Sequence, residues 1–145
     1  MKPNPSPRRS RLVAAMSCAG LFAVAAVSSF AKDMPVTLTG DQEVPPVTTA
    51  ASATGTITVN DDKTVSGSVM TKGIAATAAH LHEAPKGKNG PVIVPLTKSG
   101  DNTFTVAAGA KLSDAQFESL KAGNLYVNVH SAANPGGELR AQLTP

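Results

Sequence analysis

From Pro35 onward the chain is written largely in alternating apolar and polar residues. A period of two places successive side chains on opposite faces of a strand. On that pattern strands are predicted at 35–40, 55–59, 64–70, 79–83, 92–96, 103–106, 124–130 and 138–143. Turn-forming clusters separate several of them: Asn60-Asp61-Asp62-Lys63, Lys98-Ser99-Gly100-Asp101-Asn102 and Asn134-Pro135-Gly136-Gly137. Strands about 8–12 residues apart with turns between them predict an all-β fold, a Greek-key β-barrel or sandwich of about eight antiparallel strands. Asp41–Thr49 is expected as an extended connector, because Pro45 and Pro46 exclude both a helix and a central strand.

One stretch departs from the period of two. Ser113 is a good N-cap, Gln116 completes a capping box, Leu112 and Phe117 can form a hydrophobic staple, and Gly123 stops the helix. A single short helix is therefore predicted over Ser113 to Lys121, with Phe117 and Leu120 on its apolar side. It is too short to be a domain and is expected to plug one end of the barrel.

The first 31 residues follow another logic. Lys2, Arg8, Arg9 and Arg11 precede an apolar run from Leu12 to Val27, and Ser29-Phe30-Ala31 ends it with small residues. This is the layout of a secretory signal peptide cut after Ala31. The run is shorter than the roughly 20 residues a membrane helix needs, so no stable span is expected after processing. A periplasmic or secreted domain at 32–145 follows. Arg8-Arg9 leaves both the general and the twin-arginine export routes open. Cys18, the only cysteine, leaves with the signal, so the domain must hold together by core packing alone.

Removing the signal also changes the charge. Residues 32–145 keep nine of the thirteen basic residues and all ten acidic ones, a net charge of −1. The basic pI of the whole chain belongs to the signal, and nucleic acid is excluded as a partner on that ground. With no Trp and one Tyr, the chain lacks aromatic platforms for polysaccharide. No G-x-S-x-G elbow surrounds Ser131, which argues against nucleophilic hydrolysis.

What chemistry remains is concentrated in three histidines. His80 and His82 alternate with Leu81 and should project side by side from one face of their strand. His130 ends another alternating run whose Leu125, Val127 and Val129 face the core, so it too falls on the polar face. Imidazole suits copper and zinc. The three are candidate ligands for one metal ion, copper first and zinc second, against the plainer reading of exposed or loop-bonded polar residues. Glu83 is a candidate fourth ligand or an acceptor for an imidazole N–H, although a solvated strand end is its simpler role. Arg140 should fall on the same face as Asn128 and His130. There it could attract a small anion to an open metal position or pair with Glu138 at the surface. Tyr126 and Asn128 share that face without an assigned role.

Several segments together resemble one known family. Gln42-Glu43-Val44-Pro45-Pro46-Val47, Ala79-His80-Leu81-His82, Asn89-Gly90-Pro91-Val92, and Leu125 to His130 followed by Pro135-x-Gly137-Glu138-Leu139-Arg140 resemble the CHRD (chordin-type) domain family. The resemblance implies an extracellular β domain and an interaction module more than an activity. A weaker resemblance is to the copper/zinc superoxide dismutase barrels, on His80-Leu81-His82-Glu83, His130 and Arg140. It implies a mononuclear copper site, with Arg140 as a catalytic residue if the protein is a redox enzyme. A zinc site of that family's kind is excluded, because no bridging histidine or zinc-ligand cluster is present, and no cysteine is left for that family's disulfide. Two functions follow as expectations: a metal-binding or interaction module, and a copper-dependent dismutase acting on superoxide.

Overall fold

The computed structural model describes Met1 and residues 31–145. The expected export signal and Cys18 lie outside the described residues, Met1 and Ala31 apart. Alternation builds eight strands: β1 (Lys32–Leu38), β2 (Ser52–Val59), β3 (Val65–Lys72), β4 (Ala76–Glu83), β5 (Val92–Gly100), β6 (Thr103–Val106), β7 (Leu125–Ser131) and β8 (Leu139–Gln142). All pairings are antiparallel, in the order β1-β2-β3-β6-β5-β4-β7-β8. The β4-β5-β6 meander has β3 returning beside β6 and β7 returning beside β4, which makes two overlapping Greek keys. Thr39 and Arg140 exchange backbone hydrogen bonds of 3.2 and 3.1 Å between the outer strands. The sheet is thereby a nearly closed barrel with little unpaired edge.

All eight expected strands are present, with two local differences. β5 runs on to Gly100, where a turn was expected from Lys98, because its pairing with β6 continues through a register shift at Lys98/Gly100. The connector after β1 opens with one 3-10 turn at Gly40–Gln42, and its Val44–Pro45 peptide is cis. Pro95 lies inside β5 opposite His80, next to the register shift at Leu81/His82. A local irregularity is where a proline is tolerated within a sheet.

The inward positions form one core. Met34, Leu38, Ile57, Val69, Leu81, Phe104, Leu125, Val127, Val129 and Leu139 are all at most 1% exposed. Burying each such side chain stabilises the fold by about 1.5–3 kcal/mol. Helix α1 (Asp114–Lys121) has the expected capping box between Ser113 and Gln116. It ends in a Schellman motif, with Gly123 N donating to Leu120 O and Asn124 N to Ser119 O, each at 2.8 Å. Leu112 and Leu120 reach the core, and Gln142 Nε2 donates to Gly123 O at 2.8 Å. The helix covers the end of the barrel where β4 and β8 finish and β7 begins.

The rest of the chain shapes one outer face. Two loops, 40–51 and 84–91, lie across β4, β7 and β8 together with the 132–138 turn. Asn89 Nδ2 joins the two loops by donating to Val44 O at 2.7 Å. Thr49 Oγ1 joins the first loop to the turn by donating to Glu138 Oε1 at 2.8 Å.

Candidate metal centre

Strand register decides which outward side chains meet. His80 pairs across with Asn128, which pairs with Arg140; His82 pairs with Tyr126, which pairs with Gln142; His130 pairs with Ala78. The three histidine rings converge, with centroids 5.7 Å (His80–His82), 4.9 Å (His80–His130) and 6.0 Å (His82–His130) apart. One nitrogen from each ring can be chosen so that all three lie within 4.8 Å of one another. The structure therefore brings together the three residues singled out by spacing.

Hydrogen bonds fix which nitrogens face the cluster. A backbone carbonyl only accepts, so a ring nitrogen bonded to one carries the hydrogen. His82 Nδ1 donates to Gly90 O at 3.0 Å, and His130 Nδ1 donates to Pro135 O at 2.9 Å. Each ring thus keeps its lone pair on Nε2. His130 Nε2 accepts from His80 Nδ1 at 3.0 Å. His82 Nε2 has no hydrogen-bond partner among the described residues, although His82 is only 8% exposed. A buried acceptor without a donor is costly, and an unshared lone pair is what a metal ion requires. Atoms bound to one ion at about 2.0–2.1 Å lie at most about 4.2 Å apart. A contraction of under about 1 Å would bring the widest nitrogen pair within that reach.

Burial and neighbouring charge favour the neutral form of His80 and His82. His80 is held below the ordinary histidine range by burial first, then by His130 and His82. His82 is lowered by burial, against its Gly90 bond, with further lowering by His130 and Arg140. Neutral imidazole is the ligating form.

Arg140 occupies an unexpected place. Expected beside His130 on the surface, it is 1% exposed, and its guanidinium carbon lies 3.5 Å from the Tyr126 ring centroid. Its Nη atoms donate to Asn89 Oδ1 (3.3 Å), Gln142 Oε1 (3.3 Å) and Pro85 O (3.5 Å). The surface pair with Glu138 does not form. Glu138 accepts instead from Thr49, Ser131 and Asn134. Glu83 is likewise no fourth member of the cluster: odd-numbered in its strand, it faces away from the histidines and accepts from Ser119 Oγ of α1 at 2.5 Å.

Three residues beside the cluster had no role in the sequence reading. Tyr126, 3% exposed, stacks on His82 with centroids 4.8 Å apart and planes 10° from parallel. Asn128, 2% exposed, donates through Nδ2 to Glu43 Oε1, while its Oδ1 lacks a partner among the described residues. Glu43, 5% exposed, has a pKa raised to about 7 by burial, which outweighs the opposing charge of Arg140. Gly137 lies so close that a Cβ there would collide with Asn128 and Glu43 Oε1. An acid two residues before a Pro-Pro pair was the available signal for Glu43. Tyr126 and Asn128 carried no such signal, since alternation places them only on the polar face of their strand.

A nearly closed Greek-key barrel carrying a loop-covered histidine cluster is the class of protein that fold and site define. A family model, the CHRD domain, matches residues 34–143, and the chain belongs to that family. No curated protein and no solved structure matches it at a significant level.

Proposed function

We propose that the protein is an exported CHRD-domain module that binds one metal ion, copper in first place and zinc in second, through His80, His82 and His130. One observation carries this reading: His82 Nε2 is buried, unpartnered and part of a three-nitrogen cluster. A plain polar surface would leave that nitrogen to water, and a purely structural histidine would have a donor for it. The donor set contains nitrogen and no sulfur, which suits Cu(II) or Zn(II). His82 and His130 would ligate through Nε2 and His80 through Nδ1, its proton moving to the other ring nitrogen. Export rests on the sequence of residues 1–31 and on the occurrence of CHRD domains in secreted proteins.

Titration calorimetry and electron paramagnetic resonance with Cu(II) test the site. Each of His80→Ala, His82→Ala and His130→Ala should weaken binding by more than about 100-fold, beyond the 10–100-fold typical of losing an outer hydrogen-bond partner. The three losses should not add, because each removes a shared ligand set. Wild-type affinity and an unchanged spectrum in His130→Ala would overturn the three-histidine site.

A second reading, a dismutase converting superoxide with bound copper, is favoured by the partial exposure of His80 and His130, which leaves the cluster an open side. Arg140 would then act on the anion through its charge from beneath the loop. Copper-loaded protein that disproportionates superoxide no faster than free-copper controls would remove this reading and leave the binding module.

A further inference from the structure

Tyr126 reaches His82 directly by stacking and indirectly through Gly90, and the second link bears on which of its nitrogens is free. Its ring lies flat on the imidazole, 4.8 Å between centroids and 10° from parallel. Its hydroxyl accepts from Gly90 N at 3.1 Å, and Gly90 O accepts from His82 Nδ1 at 3.0 Å. Gly90 is thus gripped at both ends, its amide by the tyrosine and its carbonyl by the histidine. Only glycine fits there, because a Cβ would overlap the Glu83 carbonyl oxygen. The tyrosine is itself fixed: β7 lies between β4 and β8, and the Arg140 guanidinium packs on the ring at 3.5 Å. Arg140 also donates to Pro85 O and Asn89 Oδ1 of the loop that carries Gly90.

We propose that Tyr126 is a positioning residue for the metal centre: by holding the Gly90 backbone it keeps His82 as the Nδ1–H tautomer, with Nε2 turned into the cluster. This rests on the metal-binding reading and adds to it the device that orients one ligand. Imidazole ligands are oriented by what holds their other nitrogen, and loss of such a partner typically costs 10–100-fold in affinity. His130 offers an internal control, since its Nδ1 is held by Pro135 O with no part played by Tyr126.

The test uses Tyr126→Phe, which keeps the stacked ring and removes only the hydroxyl, with Tyr126→Leu removing both. Two-bond proton–nitrogen NMR correlations of the metal-free protein, at a pH where histidines are neutral, read each ring's tautomer directly. Wild type should show His82 and His130 as Nδ1–H. In Tyr126→Phe, His82 should become a mixture of tautomers while His130 keeps its own, and the Kd for Cu(II) should rise about tenfold. Tyr126→Leu should rise further. If His82 stays wholly Nδ1–H in Tyr126→Phe with unchanged Cu(II) affinity, the proposal is wrong, and the same holds if both histidines change together. Failure of wild type to bind Cu(II) would remove the metal reading alone, because the tautomer of His82 still decides what Tyr126 does.

Discussion

The barrel has two outer faces built from the same alternating pattern, and only one is covered. On β2, β3 and β6 the outward residues Thr54, Thr56, Ser66, Met70 and Thr105 are exposed, Met70 by 61%. On β4, β7 and β8 the equivalent positions hold His82, Tyr126, Asn128 and Arg140, all at most 8% exposed. The difference comes from the two loops and the turn that lie over the second face. Under them the buried polar groups have lost water and must find partners within the protein. Most do; His82 Nε2 and Asn128 Oδ1 find none among the described residues. A covered polar face is where a sheet can afford specific chemistry, whereas a bare one needs only to be soluble.

Arg140→Ala should break this comparison most severely. It would strip donors from Asn89 Oδ1, Pro85 O and Gln142 Oε1 and leave a void against Tyr126. An unpaired acceptor costs about 1–3 kcal/mol when buried and less where it is part-buried and water re-enters, as for these three, so with the void against Tyr126 a loss of about 3 kcal/mol is expected. Arg140→Lys should recover little, since one ammonium cannot both stack flat and span those acceptors. Urea denaturation measures it, and a loss under about 1 kcal/mol would mean that the covered face contributes no more than an ordinary surface.

The sequence disclosed the barrel and the three histidines because both depend on a period of two. Leu81 inward and His80 and His82 outward follow from alternation alone, whatever the loops do. Coverage does not. Nothing in the spacing of Thr56 and Tyr126 says that one outward position meets water and the other lies under a loop, because that depends on contacts such as Asn89 to Val44, 45 residues apart. The burial of Arg140 was unreadable for the same reason. Its strand face was right, but burial sent its long side chain across Tyr126 and toward the 84–91 loop, where its charge acts on His82. Glu43 was invisible as part of the site, since it arrives on a connector with no periodicity to follow.

A pH series on Glu43→Gln sharpens the contrast. Below 4.5, the ordinary value, Glu43 is protonated in both folded and unfolded chains. Between 4.5 and about 7 the unfolded chain gives up its proton while the folded chain retains it. Folding stability therefore falls as pH rises through that window and is lowest above it. The full gap corresponds to at most about 3 kcal/mol. Glu43→Gln should remove this slope, gaining on wild type steadily from pH 4.5 to above 7. Parallel stability curves for the two proteins would show that Glu43 is solvated after all.

Thr56→Val on the bare face should have the smallest effect. Thr56 is exposed on β2, between Pro35 and Ser68 in register, and its hydroxyl has no protein partner among the described residues. Valine keeps the branched Cβ that a strand favours and removes only a hydroxyl that water serves equally well. A stability change within about 0.5 kcal/mol of zero is expected, with Cu(II) affinity unaltered. Because the substitution leaves shape nearly constant, any larger loss must come from the hydroxyl. A cost above about 1 kcal/mol would then mean that Thr56 is hydrogen-bonded in solution, to a second copy or another segment. Sedimentation at two protein concentrations would separate those cases, and either one would remove the distinction between a covered and a bare face.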